Sequence, residues 1–134
     1  MCGICGYTGR NAPETLKNMM SSIYHRGPDD SGQWQNQSVA IGMRRLSIID
    51  INEGQQPIHN ENKSIWLVFN GEIYNHIELR TKLESLGHQF YTDHSDTEVL
   101  VHLYEEYGAD YLQHLNGMFA IALWNEHTQE LHLA

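Results

Sequence analysis

The chain opens Met1-Cys2-Gly3-Ile4-Cys5-Gly6. A small second residue such as Cys permits removal of the initiator methionine, which leaves Cys2 carrying both a thiol and a free α-amine. The thiolate is the attacking form; a free Cys titrates near ~8.5 and an α-amine near ~8. The amine can therefore take the thiol's proton near neutral pH, directly or through one water, so that base and nucleophile belong to one residue. Two other readings compete. Cys2 and Cys5 form a C-x-x-C, which suits redox chemistry or half a zinc site. Redox pairs of this kind follow a strand inside a βαβ unit, and nothing precedes this one. A closed zinc site needs four ligands. The sequence has no second Cys pair, and its nine His are scattered without the usual His-pair spacing. The opening residues alone leave the three readings open.

With 134 residues the chain suits one domain, large enough to bury roughly two-thirds of its unfolded surface. No apolar run is long enough to span a bilayer, and the start lacks a signal-peptide pattern. Two cysteines, one at the extreme end, argue against a disulfide framework and for a reducing cytoplasm. A net charge of −9, from 17 acidic and 8 basic residues, disfavours nucleic acid as a partner.

Gly3 to Thr8 reads as a short buried strand. Pro13 opens a helix whose Leu16, Met19, Met20 and Ile23 form one apolar face, ending near His25 ahead of Gly27-Pro28. His25 to Gly32 reads as a polar loop. Gln33-Trp34 and Ser38 to Ile41 are strand candidates around a turn at Asn36. Arg44 and Arg45 enter an apolar stretch; one guanidinium could grip a carboxylate in a bidentate fork, and spacing does not say which.

Asn52 to Asn62 is a polar loop. Ile65 to Phe69 is a dense apolar run, as in a central strand buried on both faces. It leads into Asn70-Gly71-Glu72, which reads either as a type I′ hairpin turn or as two donors, the Asn side chain and the Gly N–H, forming an oxyanion hole. Asn75 with Glu78, and Ser95 with Glu98, have capping-box spacing for two helices. Leu79, Leu83 and Leu86 form the stripe of the first; Val99, Leu100, Leu103, Tyr104 and Tyr107 that of the second. Asp96 by itself is a helix-start acid. Gln89 to Thr92, Met118 to Trp124 and Glu130 to Ala134 read as strands. Strands and helices come in blocks, so sheets with helices on their outer faces are expected.

Met-Cys2-Gly-Ile, His25-Arg-Gly-Pro-Asp29, Arg45-Leu-Ser-Ile-Ile-Asp50, Asn70-Gly-Glu-Ile-Tyr-Asn75 and Ser95-Asp-Thr-Glu98 together resemble the glutaminase domain of class II glutamine amidotransferases. The motif variants are similar to the glutamine-dependent asparagine synthetase branch, over essentially the whole chain. The resemblance implies an α+β N-terminal nucleophile hydrolase fold, a four-layer αββα sandwich, incomplete at its C-terminal end. It implies Cys2 as the nucleophile on the glutamine amide, with Asn70 and Gly71 holding the oxyanion. Arg45 would clamp the substrate carboxylate, Glu72 and Asp96 its ammonium, and Ile48 and Ile49 would line the pocket; Arg44 is left as surface. No cofactor or metal is expected in this chain. ATP and Mg²⁺ are expected only in a synthetase domain, which with glutamine would be the partner; a homodimer is compatible, and neither nucleic acid nor membrane is expected. The ammonia would serve ATP-dependent asparagine synthesis. Another acceptor, a non-catalytic domain keeping the fold, and a C-x-x-C redox or metal module are the alternatives.

Overall fold

The computed structural model describes residues 2–46 and 55–134. The apolar opening becomes β1 (Gly3–Thr8), followed by α1 (Pro13–Ser22), whose proline sits in the first turn, where a missing N–H costs nothing. A 3-10 turn at Tyr24–Arg26 leads to β2 (Asp30–Gln35) and β3 (Val39–Arg45). The Asn36 side chain forms their hairpin, its Oδ1 accepting the N–H of Ser38 at 2.7 Å and of Val39 at 2.9 Å. β3 is the middle strand of this first, antiparallel sheet, ordered β1-β3-β2. Residues Asp30 to Gly32, expected in a loop, are strand because their backbone pairs with Met43 to Arg45.

The second sheet has the order β4-β5-β6-β7, from β4 (Ile58–His59), β5 (Ile65–Ile73), β6 (Gly117–Asn125) and β7 (Glu130–Leu133), all antiparallel. Between β5 and β6 come α2 (His76–Ser85), α3 (Glu98–Tyr107) and a 3-10 stretch, Gly108–His114. Buried Asn60 launches β5: its Oδ1 accepts the N–H groups of Ser64 and Ile65 at 2.9 and 3.0 Å.

Strand alternation builds three apolar layers. Ile65, Leu67, Phe69 and Ile73 of β5, with Ile121 and Leu123 of β6, pack under Leu79 and Leu83 of α2 and the α3 stripe. The opposite faces, Val68, Ala122 and Trp124, meet Val39, Ile41 and Met43 of the first sheet. Ala40 turns the other way and lies under Leu16 and Met20 of α1. Gly42 lets that helix sit close, since a Cβ there would be 2.6 Å from Met20 Sδ. The result is the expected αββα order: α1, first sheet, second sheet, α2 with α3.

Several local expectations fail for one shared reason: a tertiary partner outcompetes the local one. Asn70-Gly71 is not a hairpin turn but part of β5, paired with Ala120 and Phe119. Neither capping box closes. Asn75 precedes α2 but spends its side chain on the carbonyl of His114 and the N–H of Asn116, at 2.9 and 3.0 Å. The fully buried Glu98 accepts the N–H groups of Tyr91 and Thr92, both at 2.8 Å, and the Thr92 hydroxyl. Those N–H groups are thereby withdrawn from strand pairing, and Gln89 to Thr92 is irregular chain. Burial alone would raise the Glu98 carboxyl, but donors from His102, Thr92 and Tyr91 hold it below its ordinary value. Burial likewise opposes charge on His102, yet Glu105, Glu98 and Glu61 raise it to about 9. Leu86, expected in the α2 stripe, is 53% exposed at the helix end.

Candidate active site

The two sheets are fixed at one level by Trp34 of β2 and Trp66 of β5, whose rings stack 4.7 Å apart. At their turn end the sheets are tied by the Asn36 amide, which donates to both carboxylate oxygens of Glu126 at 3.0 and 3.1 Å. The other end follows from register. Trp34 is level with Ile41 of β3, and Ile41 with Gly6 of β1. Four residues further along each strand, about 13 Å, lie Arg45 on β3 and Cys2 just ahead of β1. Four residues beyond Trp66 lies Asn70. All three residues therefore occupy the same end of the sandwich.

Parity sets their faces. Arg45 shares its side of β3 with Ile41 and Met43, and Asn70 and Glu72 share theirs on β5 with Trp66 and Val68, all turned toward the facing sheet. Cys2 and Ile4 also join this inter-sheet cluster. The end is open: Asn70 is half-buried, while Gly71, Glu72 and the Met118 opposite it are exposed. A cleft of about 580 Å³ bounded by Thr8, Arg10, Trp124 and Leu131 lies at the turn end, a strand's length from Cys2, and is no part of this site.

The Cys2 backbone is held in place. Arg26 donates from Nε and Nη2 to the Cys2 carbonyl at 3.3 and 3.1 Å. The loop after Arg26 is laid along β3: the Asp29 N–H donates to the Arg45 carbonyl at 3.1 Å, and Pro28 bridges to Arg45. Arg44, read as surface, closes that loop from the outside. Its Nε donates to the Gly27 carbonyl at 2.9 Å, and its guanidinium lies 4.5 Å from the Tyr24 ring centre. It is half-buried, on the face of β3 opposite to Arg45. Arg26 and Arg44 are thus positioning residues: Arg26 carried no expected role beyond its loop motif, and Arg44, expected at the surface, holds that loop instead.

Asp96 reaches the site from the start of α3, its Oδ2 accepting the Ile73 N–H at 2.9 Å, next to Glu72. Gly71 is required by the strand itself, because a Cβ there would lie 2.0 Å from the Met118 carbonyl oxygen on β6. Ile48 and Ile49 lie outside the described residues. The redox reading fails on geometry. Cys2 and Cys5 are both free thiols. Cys2 packs between the sheets and Cys5 beside the α1 cluster. An extended three-residue step of about 10 Å separates them, beyond disulfide reach. Burial raises the Cys5 thiol above its ordinary value.

A family model described as a glutamine amidotransferase domain matches residues 1–134. The chain belongs to this family. It is 44% identical over 98% of its length to asparagine synthetase [glutamine-hydrolyzing] 1 of Bacillus subtilis (strain 168), and spans 22% of that protein. It is 44% identical over 92% of its length to asparagine synthetase [glutamine-hydrolyzing] 1 of Arabidopsis thaliana, of which it spans 21%. The fold is shared with the glutamine phosphoribosylpyrophosphate amidotransferase of B. subtilis complexed with ADP and GMP: TM-score 0.73 and 22% identity, over 94% of this chain and 35% of that one. A second solved structure, the allosteric regulatory enzyme of purine biosynthesis, matches 94% of this amidotransferase domain and 36% of its own chain, at TM-score 0.74 and 23% identity. The sandwich is therefore the N-terminal nucleophile hydrolase fold. Among the described residues no helix is long and apolar enough to cross a membrane.

Proposed function

We propose that this domain hydrolyses the side-chain amide of glutamine through Cys2. The observation that carries the reading is the common level of Cys2, Arg45 and Asn70 at the open end of the sandwich, on facing sheet surfaces. Glutamine is a zwitterion bearing a neutral amide. A site for it needs a cation for the carboxylate, acids for the ammonium, and donors beside the thiol. Arg45 supplies the first, Glu72 and Asp96 the second, and the Asn70 side chain with the Gly71 N–H the third.

Once Met1 is gone, the Cys2 α-amine takes the thiol proton and the sulfur attacks the amide carbon. The developing oxyanion is held by Asn70 and Gly71. The tetrahedral intermediate then breaks its C–N bond, and the amine returns the proton to the leaving ammonia. Water attacks the γ-glutamyl thioester to give glutamate and free thiol. Arg26 anchors the Cys2 carbonyl, and so the backbone from which the amine and the thiol project.

The relatives' names, asparagine synthetase [glutamine-hydrolyzing], support a fuller reading in which this domain supplies ammonia for asparagine synthesis within a longer protein; we further propose that a synthetase portion uses ATP and Mg²⁺ on aspartate, in the cytoplasm. The test of the domain's own part is direct. Purified chain lacking Met1 is expected to release glutamate and ammonia in equal amounts from glutamine, and Cys2→Ala to release neither. Turnover that survives Cys2→Ala contradicts the reading.

A further inference from the structure

On the far side of the second sheet from Asn70, four side chains from three separate segments converge. Glu61 comes from the loop before β5, His88 from just after α2, and His102 and Glu105 from successive turns of α3. One ligating atom from each lies within 4.8 Å of all the others. The separations that define the centre are 3.2 Å from His102 Nδ1 to Glu105 Oε2, 3.3 Å from His88 Nδ1 to the same oxygen, and 3.7 Å from His102 Nδ1 to Glu61 Oε2. Tetrahedral zinc with bonds near 2.0–2.1 Å places its ligand atoms roughly 3.3 Å apart.

We propose that Glu61, His88, His102 and Glu105 form a binding site for one divalent transition-metal ion of the zinc type. Two imidazoles, with the ring proton of His102 displaced by the ion, and two carboxylates make a donor set with no net charge once the ion is bound, suited to zinc rather than to the all-oxygen cations. The surroundings are built as those of a metal centre are. Each histidine offers Nδ1 to the centre and turns Nε2 toward an outer carboxylate, His88 to Glu106 at 2.7 Å and His102 to Glu98 at 3.5 Å. Each carboxylate offers Oε2 inward, while its Oε1 accepts from an outer donor: Asn60 Nδ2 to Glu105 at 2.8 Å, and the Gln89 N–H to Glu61 at 3.1 Å. Such outer partners fix ring orientation and raise ligand basicity. His102 is fully buried, with its Nδ1 facing the centre 3.2 Å from Glu105 Oε2 and its Nε2 turned outward, 3.5 Å from Glu98 and without a hydrogen bond. With all four positions filled by protein, the site is structural: it would clamp α3 to the loops at Glu61 and His88, independently of glutamine chemistry.

The experiment is titration of the metal-stripped full chain with Zn²⁺ in a non-chelating buffer, read by calorimetry, with Co²⁺ as a spectroscopic probe. The account expects one Zn²⁺ per chain, a raised Tm, and tetrahedral Co²⁺ absorption without a thiolate charge-transfer band. Glu105→Gln and His88→Asn, both at partly exposed positions and each verified to melt cooperatively, are expected to weaken Zn²⁺ by about tenfold or more, whereas Cys2→Ala binds as the parent does. Absence of stoichiometric binding overturns the proposal. So does binding that persists in both variants, or that vanishes in Cys2→Ala.

Discussion

Asn70 and Arg45 show what a single residue contributes and what its sequence neighbours conceal. If Asn70 donates only to the oxyanion, its loss strikes the transition state and spares the ground state. Asn70→Ala is therefore expected to lower kcat by ~10²–10³ and leave KM for glutamine nearly unchanged, measured by steady-state glutamate release. Equal loss in binding and turnover contradicts the role. The Asn-Gly pair was legible as chemistry or as a turn, and only pairing with Ala120 and Phe119 decides for the strand. Arg44 and Arg45 are indistinguishable by type and adjacency. Register separates them, sending Arg44 to Tyr24 and the Gly27 carbonyl while Arg45 shares the inner face of β3. Glu98 was legible as a capping-box partner of Ser95 but not as the fully buried acceptor of Tyr91 and Thr92, because spacing reports only local partners.

At the scale of elements, β5 joins the core to the site: Ile65 to Phe69 are packed on both faces, and the last residues of the same strand line the open end. Its close approach to β6 at Gly71 sets a limit on substitution. In Gly71→Ala the new Cβ would lie 2.0 Å from Met118 O and 2.7 Å from Phe119 Cα, so the ladder must open. A loss of about 1–3 kcal/mol is expected, seen as a lower denaturant midpoint at unchanged slope; an unchanged midpoint would show that β6 can yield. The strands and helices of the core were legible because their apolar periodicity is strong. The Glu61–His88–His102–Glu105 cluster was not, since its ligands come from three segments and only His102 and Glu105 show a helical spacing.

For the whole molecule, the proposed function requires two sheets staying in register, since Cys2 and Arg45 stand on one and Asn70 on the other. The inter-sheet layer supplies that registry. Ile41 is fully buried in it, and Ile41→Ala is expected to cost about 2–5 kcal/mol. Near- and far-ultraviolet circular dichroism should lose signal in one coincident thermal transition; separate melting of the two sheets would contradict a single cooperative sandwich. The layer order was legible from the blocks of strands and helices, whereas the level at which the sheets meet, set by the Trp34–Trp66 stack, was not.

The proposed function rests on an N-terminal thiol placed at an assembled glutamine site. Its most direct test is the intact mass of the purified chain before and after an electrophilic glutamine analogue, with Cys2→Ala alongside. Loss of Met1 and a single adduct that maps to Cys2 are expected. Cys5 should stay unmodified at neutral pH, because burial raises its thiol and leaves little thiolate to react. An adduct that persists in Cys2→Ala, or none on a chain that has lost Met1, would contradict the account.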